Sequence, residues 1–109
     1  MTIARPAEDV WQAFGEGQPQ AFTVDLYTDV RMKTLDTGVP STANVRAVFQ
    51  IPNSATTFGY TCTLSSASLA RWGWRIGGAS TTTSGIYSVQ IHLRKQLIGR
   101  YRVEAVSYL

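Results

Sequence analysis

Apolar residues occupy every second position over long stretches of this chain, and that spacing constrains the fold more than any other feature. From Phe22, one parity reads Phe22, Val24, Leu26, Val30 and Met32, with Thr28 its only polar member. The other parity reads Thr23, Asp25, Tyr27, Asp29, Arg31 and Lys33. Side chains of a strand point alternately to opposite faces, so a period of two predicts one buried and one wet face, with a bend or bulge near Thr28. The signal recurs over 43–51, 56–64, 71–76, 86–93 and 97–109. Threonines alternate with Phe58, Tyr60, Cys62 and Leu64 in the third of these six segments, which favours a strand with a polar outer face.

The intervening residues are turn formers. Asp36-Thr-Gly38-Val-Pro40 and Pro52-Asn53-Ser54 supply tight connections, and the stretch 77–85 is small, polar and rich in glycine. Six strands joined this way predict an all-β fold, a compact antiparallel β-sandwich or small barrel. Ahead of them, Pro6-Ala-Glu-Asp-Val-Trp-Gln-Ala-Phe14 reads as a short helix or helical turn. Proline suits its first position, Glu8 and Asp9 complement the dipole, and Gly15 ends it. Val10, Trp11 and Phe14 then share one side and form a docking face. A Gly/Pro/Gln linker follows, so residues 1–19 are expected to form an arm and 20–109 a single β domain.

Composition narrows the chemistry. A chain of 109 residues is one domain. Its single cysteine forbids an internal disulfide, and with one histidine the usual structural zinc sites are excluded. No metal and no cofactor is expected. No segment approaches the roughly 18 apolar residues of a membrane span, and the residues after Met1 hold no apolar run long enough for a secretory h-region. The expectation is synthesis in a cytoplasm without membrane insertion. Charge is uneven: residues 1–70 carry a net −2 and residues 71–109 a net +5 within a total of +3.

The run Ser84-Gly85-Ile86-Tyr87-Ser88-Val89 resembles the Gly-x-Tyr-x-Val opening of a late strand in immunoglobulin-like β-sandwiches. There the tyrosine makes a corner contact with nearby backbone. Cys62 and Trp74 resemble the strand-B residue and strand-C tryptophan that pack together in that core. Similar compact modules, free of disulfides, recur in tail, baseplate and capsid-decoration proteins of bacteriophages. The resemblance implies a virion-associated structural component.

Candidate chemistry is thin. His92 shares a strand parity with Gln90 and Ser88 and has no carboxylate close in sequence, so a surface histidine is the simpler reading than a general base. Cys62 sits on an apolar parity and reads as a small buried hydrophobe. Asp25 and Asp29 share a parity about 13 Å apart, wider than a glycosidase pair, and read as solubilising charge. Catalytic residues are therefore expected to be absent. Trp72 and Trp74, flanked by Arg71 and Arg75, point to one face. They can serve as core, as a subunit interface, or as a platform for stacking on sugars or bases. Arg94, Lys95, Arg100 and Arg102 are brought together by a hairpin turn near residues 95–99, a basic patch suited to an acidic protein partner, with nucleic acid the less favoured occupant. These features predict a non-enzymatic structural or assembly protein that forms a symmetric homo-oligomer and meets other structural subunits. A carbohydrate- or receptor-binding module using Trp72 and Trp74 is the alternative.

Overall fold

The computed structural model describes residues 2–6, 12–15, 20–29, 31, 33–76 and 83–106. Nine strands appear among them: β1 (Ile3–Pro6), β2 (Gln12–Gly15), β3 (Gln20–Tyr27), β4 (Val45–Gln50), β5 (Thr57–Thr61), β6 (Thr63–Ser66), β7 (Arg71–Ile76), β8 (Gly85–Leu93) and β9 (Gln96–Val106). They form a four-stranded sheet in the order β1-β3-β7-β6 and a five-stranded sheet in the order β2-β9-β8-β4-β5. Every pairing is antiparallel except β2 with β9. This is the β-sandwich that the alternation demands.

The predicted parities select the core. Phe22, Val24 and Leu26 of β3, Trp72, Trp74 and Ile76 of β7, Val45, Ala47 and Phe49 of β4, Tyr87, Val89 and Ile91 of β8, and Val103 and Ala105 of β9 are all buried. Two sheets each hydrophobic on one face have one way to remove that area from water, which is to stack face to face. An aromatic cluster ties them together. Phe49 stacks on Phe58 at 5.3 Å. It meets Tyr60 and Trp74 edge-on, each at 6.2 Å, while Phe22 stacks on Trp74 at 5.7 Å.

Four expectations are corrected here. Gln12–Gly15 is a strand and Pro6 closes another, so the predicted helix over 6–14 does not form across its described ends. Strand pairing with β3 and β9 outcompetes the local helix signals. The expected strand over 22–33 stops at Tyr27, because the chain turns back on itself: the Thr28 amide donates to the Thr34 carbonyl at 2.9 Å and the Asp36 amide to the Leu26 carbonyl at 2.8 Å. The expected strand over 56–64 is two strands, since the chain steps from one sheet to the other at Cys62. Cys62 and Trp74 accordingly lie at the β5–β6 step and on β7, not on the second and third core strands. The tyrosine corner does form, with the Tyr87 hydroxyl donating to the Thr83 carbonyl at 2.6 Å.

Where β1 crosses the other sheet, Gly99 is required. A Cβ there would collide with the Ala4 carbonyl, and the same stretch carries the register shift between Ile91 and His92. The first strand thus closes over β9 at the one position without a side chain.

Candidate functional site

The two tryptophans occupy the core. Trp72 is 1% and Trp74 6% exposed, so neither indole offers a ring face to a sugar or a base, and the stacking platform expected at Arg71, Trp72, Trp74 and Arg75 is corrected. The parity argument put both rings on one face; the sandwich makes it the inner one. Arg71 and Arg75 lie on the opposite, outer parity. Arg71 grips Asp25 with two hydrogen bonds, Nε to Oδ1 at 2.8 Å and Nη2 to Oδ2 at 3.1 Å. Arg5 stands opposite Asp25 on the next strand, so the row Arg5–Asp25–Arg71 crosses three strands. Asp25 is therefore a buried ion-pair partner and not solubilising charge. Of the expected docking face, Val10 and Trp11 lie outside the described residues, and the Phe14 backbone is placed opposite Ala105.

The hairpin that gathers the basic set turns at Arg94–Lys95, earlier than the 95–99 expected. Both residues have left-handed backbones, φ 49° and 71°. A two-residue turn between right-twisted strands requires that conformation, although glycine or asparagine would adopt it at lower cost. The Arg94 amide donates to the Asn44 carbonyl at 2.9 Å, which fixes the turn. Its two side chains diverge. Lys95 lines a cleft of about 260 Å³ with Asn44, Arg46, Val48 and His92, whereas Arg94 lines another with Thr2, Ile3 and Leu97. Arg100 and Arg102 are exposed and pair across β8 with Gln90 and Ser88. The outer face of the five-stranded sheet therefore gathers Lys95, Arg100 and Arg102 with Arg46, which is distant in sequence but lies opposite His92. Sequence reasoning missed Arg46 because only the β4–β8 pairing brings it there.

A second candidate feature, also unanticipated, is the edge of β5, which ends the five-stranded sheet among the described residues. The Cys62 amide donates to the Val45 carbonyl at 2.8 Å and the Ile51 amide to the Thr56 carbonyl at 3.1 Å. Antiparallel ladders alternate, so Phe58 and Tyr60 direct their backbone groups to β4, while Thr57, Gly59 and Thr61 direct theirs away from the sheet. Edge strands are ordinarily blunted by proline, charge, bulges or brevity. Pro6 closes β1, β6 has four residues and a register shift, and β2 has four residues. Among the described residues, none of these devices protects Thr57-Phe-Gly-Tyr-Thr61. Its inward rings, Phe58 and Tyr60, join the aromatic cluster at 5.7 Å from each other, which anchors the strand to the core.

Two further carboxylates, Asp29 and Asp36, are engaged in structural hydrogen bonds. Asp29 accepts the Lys33 and Thr34 amides at 3.0 and 3.2 Å, and Asp36 accepts the Thr2 hydroxyl at 2.7 Å. Burial pushes the Cys62 thiol up to about 12, against smaller lowering contributions from the Ala47 backbone and the Arg46 charge. Burial likewise pushes the Tyr101 phenol upward. Among the described residues, no three His, Cys, Asp or Glu side chains are grouped to hold a metal, and no helix is long and apolar enough to cross a membrane.

Neither a family model nor a curated protein matches the chain. Its architecture does have a solved counterpart. The chain is similar to the Lin-41 filamin domain, known from a crystal structure, with a TM-score of 0.58 at 15% identity over 96% of this chain and 93% of that one. At that identity the likeness speaks to the fold alone, an immunoglobulin-like β-sandwich.

Proposed function

We propose that this chain is a non-enzymatic interaction module that assembles with copies of itself into a symmetric homo-oligomer, as a structural component of a phage-like particle. The observation that carries the reading is the edge of β5, which ends its sheet among the described residues: its outward backbone groups meet no described strand, and the strand has no charge, proline or bulge of its own to deter pairing. The non-enzymatic part is supported by the use of Asp25, Asp29 and Asp36 in structural hydrogen bonds to Arg71, the Lys33 amide and Thr2 and by a thiol protonated far above neutral pH. The basic outer face around Arg46, Arg100 and Arg102 gives the assembly a second surface, suited to an acidic structural partner. The docking role of Val10, Trp11 and Phe14, as an arm spanning residues 1–19, belongs to the same reading. The particle setting rests on the resemblance around Tyr87, and its virion association follows from that alone.

The test is sedimentation velocity on the full chain from dilute to concentrated solution, followed by negative-stain imaging of the largest species. A discrete oligomer that grows with concentration and images as a closed symmetric object supports the proposal. A strict monomer at every concentration overturns it.

A further inference from the structure

The five residues of β5 read almost identically in both directions: Thr57, Phe58, Gly59, Tyr60, Thr61. An isologous contact needs this property, because in a two-fold pairing each residue must suit the one equally far from the axis. We propose that β5 pairs antiparallel with β5 of a second copy about a two-fold axis through Gly59, joining two five-stranded sheets into one of ten strands. The proposal rests on the assembly reading above and names its partner and register.

The geometry follows from the ladder. Thr57, Gly59 and Thr61 are the residues whose amides and carbonyls face outward, so the register places Gly59 opposite Gly59 and Thr57 opposite Thr61 as reciprocally hydrogen-bonded pairs. Phe58 then faces Tyr60 of the second copy in the closer, non-hydrogen-bonded spacing, where aromatic pairs across strands stabilise a sheet. Both rings are only half-buried in the single chain, so the contact covers their remaining apolar area. The threonine pairs fall on the outer face.

Gly59 suits the axis for a further reason. The Arg46 guanidinium lies over it, where a Cβ would collide with that side chain. Two Arg46 side chains therefore approach each other across the axis, and the basic faces of the two copies become continuous. Their repulsion is screened by salt, so this contact strengthens as salt rises, opposite to one held by acidic and basic surfaces.

The experiment is disulfide cross-linking of full-length variants in a Cys62→Ala background. Hydrogen-bonded opposite residues lie about 5.5 Å apart at Cα, within disulfide reach. Gly59→Cys is expected to convert to a disulfide dimer, more completely at high salt. Thr57→Cys alone is expected to stay at background, because residue 57 faces residue 61, while an equal mixture of Thr57→Cys and Thr61→Cys cross-links. The mixture keeps the test valid where Gly59→Cys fails to fold. Cross-linking of Thr57→Cys alone at the rate of the mixture overturns the register. Absence of cross-links in Gly59→Cys and in the mixture, while the protein still sediments as an oligomer, overturns the β5 contact but leaves self-assembly standing. Absence of cross-links with a strict monomer overturns both.

Discussion

Strands β5 and β6 are separated by the single residue Cys62 and lie on the same lateral side of the sandwich, yet their edges differ. Strand β6 has four residues, a register shift between Leu64 and Ser66, and a Ser65 hydroxyl turned back to the Arg71 carbonyl at 3.1 Å. Strand β5 is regular over its whole length and anchored by two aromatic rings. A bulge with a self-satisfying side chain closes an edge, whereas regular pairing on one side leaves a template on the other. The outer faces differ in the same sense. The four-stranded sheet pairs Asp25 with Arg71 in the row Arg5–Asp25–Arg71, while the five-stranded sheet presents Arg46, Arg100 and Arg102 with Glu104 as the carboxylate on the same parity of β9.

The largest expected effect strikes what anchors β5 to the core. Phe49→Ala removes the ring that contacts Phe58, Tyr60, Phe22 and Trp74, and should cost about 4 kcal/mol in denaturant unfolding, as for other large-to-small core changes. Lost cross-linking at residue 59 should accompany it. Asp25→Ala tests the other sheet. It leaves Arg71 without the acceptor of two hydrogen bonds and should cost about 2 kcal/mol, with β5 cross-linking unchanged. An equal loss of cross-linking in both variants would erase the contrast between the two regions.

The smallest effect concerns the step between the strands. Burial raises the Cys62 thiol from its ordinary value of 9.0 to about 12, so the folded state favours the protonated form. Its contribution is complete below about pH 9 and is lost as pH rises toward 12, at about 1.4 kcal/mol per pH unit. Between pH 9 and 10 this thiol should lower stability by about 1 kcal/mol, because the unfolded thiol is already half ionised at pH 9, and Cys62→Ala should remove this share of the slope.

The long alternations made the core legible: every residue named for the inner faces of β3, β4, β7 and β8 came from a period of two. The three strands that escaped have four residues each. Pro6, Glu8 and Asp9 carry genuine helix-start chemistry, but pairing of the flanking residues with β3 and β9 is tertiary and leaves no local trace. The candidate site was legible only in pieces. Arg100 and Arg102 were visible as a pair, whereas Arg46 joins them through a strand pairing about fifty residues away. The symmetry of 57–61 stands in the sequence, but its meaning depends on β5 lying at the end of a sheet, which strand order alone decides.

Amide hydrogen exchange along β5, read residue by residue at two protein concentrations, tests the central claim most directly. In dilute protein the Phe58 and Tyr60 amides should be protected and those of Thr57, Gly59 and Thr61 should exchange quickly. At high concentration the second set should slow while the first stays constant. Protection of all five amides in the dilute monomer, or fast exchange of Thr57, Gly59 and Thr61 at both concentrations, would contradict the account.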